Sequence, residues 1–268
     1  MLRTLLTFFS IFFLAFAVTS CAADDKEGTA AEGEGEGEGE GEGEGEGDCS
    51  SLDFVNNGGM FTVPADSAFD TEGQFTVELW VKWAGTNDFG WQWLANHGGT
   101  EAGIPLAFRL QISGNTLYFG SWDEYGPTTN MPQNTWTHIA AVADGSTHRL
   151  YMNGDLAASK VVNHYDLDPN VKITVGGNRS SDWLSPWYNE TDYAWNGVVH
   201  SVRVSSTARY DGNFDPPVSF ASDQPTLGLW KLDEGTGSIA YDSSGNGNDG
   251  AIEETLWTNE GPEGCSDE

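Results

Sequence analysis

Phe75-Thr76-Val77-Glu78-Leu79-Trp80-Val81-Lys82-Trp83 is the stretch that decides the fold. β-branched and aromatic residues dominate it. A period of two puts Phe75, Val77, Leu79 and Val81 on one face and Thr76, Glu78, Trp80 and Lys82 on the other. Similar runs lie on both sides. Residues 106–113 and 116–121 flank Gly114-Asn115 and read as a hairpin. Residues 136–143 and 148–152 flank a second turn at Asp144-Gly145. Asn153-Gly154 follows, and suits a type I′ turn because both central residues need positive φ. Residues 155–159, 172–175, 198–204, 227–232 and 251–257 complete the series. Nothing shows a helical stripe of three turns. Many short strands punctuated by Gly, Asn and Asp predict an all-β fold, a two-sheet antiparallel jelly-roll sandwich. No fixed-period repeat points to a propeller or solenoid.

The strands all fall within residues 49–268, enough chain for one sizeable core. Ahead of them, residues 21–48 read as a disordered tether. Eight Glu-Gly dipeptides run from Glu32 to Gly47, and no side chain larger than alanine is both present and apolar. Residues 22–48 carry twelve acids against Lys26 alone, a net charge of −11. As a neutral coil this segment would span roughly 28 Å, and repulsion stretches it further. Before it, Arg3 and an apolar run from Leu5 to Val18 are too short for a comfortable membrane span. Residues 1–20 therefore read as a signal peptide. Val18-Thr19-Ser20-Cys21 resembles the bacterial lipobox, which implies cleavage before Cys21 and acylation of it. Several acyl chains hold a protein on a membrane far better than one. This predicts a lipid-anchored protein of the bacterial outer membrane or cell surface.

Charge and cysteines narrow the function. Removing the tether's −11 and Arg3 from the whole-chain −30 leaves −20 on residues 49–268. Such a surface argues against nucleic acid, which needs basic patches. With Cys21 lipidated, Cys49 and Cys265 remain at the two ends of the domain. Export to an oxidising compartment predicts a disulfide between them. The first and last segments should then lie side by side.

The segments Leu52-Asp53-Phe54 to Val63-Pro64, Phe75 to Val81, Trp136-Thr137-His138-Ile139-Ala140, Leu150-Tyr151-Met152-Asn153-Gly154 and Trp195-Asn196-Gly197-Val198-Val199 are common singly. Their order and spacing together resemble the LamG-like jelly roll of the concanavalin A-like lectin/glucanase superfamily. The likeness covers nearly all of residues 51–258. One block is misplaced. Leu229-Trp230-Lys231-Leu232-Asp233-Glu234-Gly235 and the Gly-rich run after Asp242 resemble a block that often opens such domains, yet here they close the chain. They are expected to close the same sandwich.

Two sites follow as expectations. Asp233, Glu234, Asp242, Asn246, Asn248 and Asp249 crowd oxygen ligands among glycines. The resemblance implies a structural Ca2+ on this loop, and the alternative is a turn built from Asx hydrogen bonds. His200-Ser201 stands where the family usually has Asp-Glu, which would remove a ligand. Aromatic residues in turn-rich stretches form the second site: Trp183, Trp187 and Tyr188 in one, Trp122 and Tyr125 in another, Trp91 and Trp93 in a third. Flat rings stack on sugar faces, but they also pack long loops down. Trp80, Trp83, Trp136, Trp195, Trp230 and Trp257 sit in strand patterns and are expected in the core.

A catalytic site finds no support. Glycosidases of this superfamily alternate acids along one strand so that two carboxylates share a cleft. Asp66, Asp70 and Glu72 come closest, and they lie in a turn-rich loop. His97, His138, His148, His164 and His200 have no zinc spacing. The expectation is a non-enzymatic recognition domain for a glycan, with a display domain for a protein partner as the alternative and a glycan-degrading enzyme behind both.

Overall fold

The computed structural model describes residues 49–54, 58–69, 71, 73–87, 90–98, 106–120, 125–162, 171–177 and 193–265. In chain order the strands are β1 (Ser51–Asp53), β2 (Met60–Val63), β3 (Gln74–Trp83), β4 (Trp91–Gly98), β5 (Leu106–Ser113), β6 (Thr116–Gly120), β7 (Tyr125–Asn130) and β8 (Trp136–Asp144). They continue as β9 (Thr147–Met152), β10 (Asp155–Val161), β11 (Ile173–Val175), β12 (Gly197–Ser205), β13 (Thr226–Trp230), β14 (Ile239–Ala240), β15 (Gly250–Glu253) and β16 (Leu256–Thr258). The first sheet runs β10-β9-β8-β3-β12-β1-β16, with β13 also on β12. The second runs β14-β15-β2-β11-β4-β5-β6-β7. Every ladder between these strands is antiparallel, as a jelly-roll sandwich requires.

The alternation of β3 sets the core. Phe75, Val77, Leu79 and Val81 are buried against the second sheet. The Phe75 ring lies 5.7 Å from Phe108 and 6.2 Å from Phe119, and Phe61 meets Trp230 edge-on at 5.4 Å. Trp83, Trp195 and Trp230 join this cluster as expected. Trp136 and Trp257 are only half-buried. Trp80 is buried on the opposite face, in a separate cluster with Phe220 and Leu229.

That opposite face departs from the usual half-wet sheet. Thr76, Glu78 and Trp80 are buried too, because residues 206–225 cross over them as a strap. Trp80 Nε1 donates to the Pro217 carbonyl at 2.9 Å, and Thr76 Oγ1 to that of Thr207 at 2.7 Å. Phe214 stacks on Tyr210 at 3.5 Å, and both meet Tyr151. The strap lands on the turn after β9. Asn153 (φ 49°) and Gly154 (φ 80°) form the type I′ turn, and the Phe214 N–H donates to the Gly154 carbonyl at 3.0 Å.

The C-terminal block does close the sandwich. β13 pairs with β12, while β14 and β15 extend the second sheet beyond β2. The single strand expected over residues 251–257 is two strands. Glu254 takes positive φ (53°), and the chain crosses there from β15 in the second sheet to β16 in the first. β16 then lies beside β1, and Cys49 and Cys265 form a disulfide with Cα atoms 5.5 Å apart.

Candidate functional site on the outer face of the second sheet

With the first sheet sealed by its strap, the outer face of the second is the one to build from. Three cross-strand rows cover its middle. Thr62, Thr174, Asn96 and Arg109 are register partners across β2, β11, β4 and β5. Next come Trp93, Gln111, Tyr118 and Thr128, and then Trp91, Ser113, Thr116 and Asn130. Trp93 reaches this face because of a bulge. The β4–β5 register shifts between Trp93 and Ala95, so Leu94 and Ala95 go to the core while Trp93 stays outside.

The rows combine rings with polar groups. The Arg109 guanidinium lies 5.6 Å over the Trp93 ring. Tyr193 packs on the other partner side of Trp93 at 5.5 Å, and Trp91 meets Tyr118 at 5.9 Å. Thr174 Oγ1 donates to Asn96 Oδ1 at 2.6 Å. Asn96, Arg109, Gln111 and Thr174 are nearly fully buried on this outer face, whereas Trp91 is 36% exposed. A buried guanidinium and amides hold fixed directions, and the half-open indole beside them offers a flat apolar surface.

Trp183, Trp187, Tyr188 and Trp122 lie outside the described residues. The segment that carries the first three has described flanks, and both are pinned to β4. The Gly176 N–H donates to the Leu94 carbonyl and the Trp195 N–H to that of Gly176, each at 2.8 Å. The Trp93 N–H donates to the Tyr193 carbonyl at 2.9 Å. Tyr125, expected in a turn-rich stretch, opens β7, opposite Gly120 and in the row of Arg109. Trp91 and Trp93, read from sequence as loop aromatics, belong to β4.

The acidic loop is held by its own hydrogen bonds. Asp242 Oδ1 accepts from the Leu229 and Ser244 N–H groups, and its Oδ2 from the Asn248 N–H and Ser244 Oγ. Asp249 Oδ1 accepts from the Asp242 N–H. Asn246 Nδ2 donates to the Thr226 and Leu227 carbonyls, and Asn248 Nδ2 to that of Leu227. Asp242 and Asn246 thus serve the turn alternative, and no cluster of three or more His, Cys, Asp or Glu side chains stands ready for a metal among the described residues. Glu234 differs. Its Oε1 accepts from the Tyr241 N–H at 2.7 Å, but its Oε2 is buried without a hydrogen-bond partner. Burial pushes its carboxyl above the usual glutamate range, the Tyr241 N–H opposes this, and the charges of Asp233 and Asp249 add to the rise. His200, in the place of the family's acid, instead sits 3.0 Å from the Ser50 carbonyl and 3.2 Å from Ser51 Oγ.

Comparison with known proteins gives the frame. Residues 56–212 match a family model described as the concanavalin A-like lectin/glucanases superfamily. No curated protein matches the chain. Among solved structures, a Bacteroides ovatus protein whose description proposes carbohydrate binding superposes with a TM-score of 0.60 at 17% identity, over 80% of this chain and 60% of its own. The chain thus spans 60% of that protein's length. A heptameric SAP-like pentraxin from Limulus polyphemus gives 0.41 at 13% identity, over 60% of this chain and 77% of its own. A CBM40 of a Ruminococcus gnavus sialidase, bound to α2,3-sialyllactose, gives 0.40 at 17%, over 53% and 80%. At these identities the likeness is one of fold. With the two antiparallel sheets and more than half the sequence matched, the chain belongs to the concanavalin A-like lectin/glucanase superfamily.

Proposed function

We propose that this chain is a non-catalytic, carbohydrate-binding lipoprotein of the bacterial cell envelope. The open end of the outer face of the second sheet carries the reading, where Trp91 and Tyr118 stand accessible in adjacent register rows, backed by the buried Trp93, Arg109 and Gln111. The description of the Bacteroides ovatus neighbour is in keeping with it. Trp183, Trp187, Tyr188, Trp122 and Tyr125 complete the proposed ligand contacts. None of the twelve residues in the three rows is a carboxylate, whereas most glycosidases use two. Residues 1–20 are proposed as the signal peptide, Cys21 as the lipidated residue, and residues 21–48 as the tether that holds the domain off the membrane.

The proposal includes one structural calcium at Glu234, around which Asp233 and Asp249 would have to close, since the three carboxylates do not stand together as a ready cluster. A cation would satisfy the buried Glu234 Oε2 and offset three neighbouring negative charges. Asp242 and Asn246 would shape the loop behind it.

A glycan array tests the binding, with the chain carrying Cys21→Ser so that lipid does not confound the readout. Binding to a defined sugar that Trp91→Ala weakens by roughly thirtyfold, with little change in melting temperature, is the expected result. Absence of binding to any glycan, with and without calcium, would sink the reading. Calcium should raise the melting temperature of the parent chain but not of Glu234→Gln. Loss of acyl labelling in Cys21→Ser tests the anchor.

A further inference from the structure

Beside the Trp91 end of this face lies a cavity of about 600 Å³, within the range of ligand clefts. Trp83, Gly85, Thr86, Asn115, Met131 and Gln133 line it, so three connections at one end of the sandwich flank it as an open cleft: β3–β4, β5–β6 and β7–β8. Trp91 does not line it but stands next to it along the chain: its register partner Ser113 precedes the lining Gly114, and the Gly114 N–H donates to the Gly90 carbonyl at 3.1 Å.

The walls are locked together. Gln133 Nε2 donates to the Ala84 carbonyl at 2.7 Å, the Met131 N–H to that of Asn115 at 2.8 Å, and the Asn134 N–H to that of Trp83 at 2.7 Å. Gln92 Nε2 and Asn196 Nδ2 both donate to the Gly85 carbonyl, at 2.8 and 3.1 Å. Gly85 (φ 121°) leaves room that a Cβ would take from Gln133 Nε2, 2.5 Å away. Trp83 and Met131 lie beneath it, each only 3% exposed, while the amides of Asn115 and Gln133 and the hydroxyl of Thr86 stand at the exposed rim. No lining residue is charged, although residues 49–268 carry a net −20.

We propose that this cavity is a subsite for an uncharged, hydroxyl-bearing ring, namely a neutral sugar residue next to the one stacked on Trp91. An uncharged rim of two amides and a hydroxyl suits the hydroxyls of such a ring. A carboxylated or sulfated sugar would enter with no cation to meet it and would lose its hydration uncompensated. A cavity already rigid costs little ordering on binding. The proposal rests on the glycan-binding reading above.

Titration of the Cys21→Ser chain with short neutral oligosaccharides, and with uronic acid oligosaccharides of equal length, tests it. Asn115→Ala and Gln133→Ala should each weaken binding of the neutral series by roughly three- to tenfold, as for a lost hydrogen bond. Asn115→Trp, which places an indole at the rim of an exposed turn, should weaken it more, at an unchanged melting temperature. If Trp91→Ala weakens binding while all three variants bind like the parent, the subsite is overturned and the glycan reading stands. Variant-sensitive preference for the uronic acid series would overturn the neutral assignment. Failure of the parent chain to bind either series or any arrayed glycan overturns both readings together.

Discussion

Glu78→Gln is the most informative change for stability, because the strap and the first sheet meet at this carboxylate. Glu78 is fully buried in the middle of β3. Arg203 places Nε and a terminal nitrogen on Oε1, each at 2.7 Å, and the Tyr210 hydroxyl donates to Oε2 at 2.9 Å. The His138 imidazole is 3.3 Å from Oε2, and Arg209 3.7 Å from Oε1. Glutamine keeps the volume, so no cavity confounds the result. It removes the one anion facing two largely buried guanidinium groups, of which only Arg209 keeps a second anion, Asp223. Breaking a buried pair from one side costs about 3 to 5 kcal/mol. For a domain of this size that lowers the melting temperature by roughly 6 to 20 °C. Glu78→Leu with Arg203→Met should recover a large part of the loss, since a buried pair is often worth no more than apolar packing. The pH dependence follows from the same geometry. Burial alone would raise the Glu78 pKa, but His138 and the Arg203 charge outweigh it, and the carboxyl is held below its usual value. A depressed carboxyl stabilises fully above the unfolded-state pKa, and this contribution fades as pH falls through the folded-state value. The parent should therefore lose stability in that acidic window faster than Glu78→Gln. Differential scanning calorimetry from neutral to acidic pH gives both readings. A loss under about 1 kcal/mol at neutral pH would refute the account of the strap as an electrostatic clamp.

Two further changes probe the frame. Cys49→Ala with Cys265→Ala opens a loop spanning 216 residues and should cost about 2 to 5 kcal/mol, read as a lower denaturant midpoint that reductant reproduces in the parent. Gly154→Ala combines a positive φ with a Cβ 1.8 Å from the Phe214 carbonyl oxygen, so it should cost more than about 1 kcal/mol in thermal unfolding. Gly145→Ala has a positive φ of 93° but no atom nearer than 3.7 Å, so it should cost only the backbone term, roughly 1 to 2 kcal/mol.

The sequence shows what is local and repeated. The period of two in β3, the Asn153-Gly154 turn and the pairing of terminal cysteines are each legible because one short stretch, or one count, carries the signal. β4 was not legible, because Trp91-Gln92-Trp93-Leu94-Ala95-Asn96-His97 loses its alternation at the bulge. β7 was hidden by Gly126-Pro127, a pair that reads as a break but is tolerated on this edge strand. The strap has no period at all. Its Tyr210, Phe214 and Phe220 look like scattered loop aromatics until the fold lays them over Trp80, His138 and Tyr151. The acidic loop was read as one candidate metal site because composition does not say which oxygens bond their own backbone. Here Asp242 and Asn246 do, while Glu234 keeps one buried oxygen without a partner.

The two outer faces therefore carry similar chemistry to different ends. Each has a buried tryptophan and arginine, Trp80 and Arg203 on the first sheet and Trp93 and Arg109 on the second, but on the first the strap also fills the place a ligand would take. Phe220 lies under the Arg203 guanidinium at 4.9 Å and packs on Trp80. On the second sheet, Trp91 keeps 36% of its surface exposed. This predicts a crossover. Phe220→Ala should cost about 3 to 5 kcal/mol of stability as a buried aromatic, and leave glycan affinity of the folded fraction unchanged. Trp91→Ala should cost under about 1 kcal/mol of stability, yet lose about 2 kcal/mol of binding, roughly thirtyfold, as a truncated hot spot does. Calorimetric unfolding and binding titration on the same two variants measure both axes. If Phe220→Ala reduces affinity as much as Trp91→Ala does, the strap is part of a ligand site, and the assignment of binding to the second sheet is wrong.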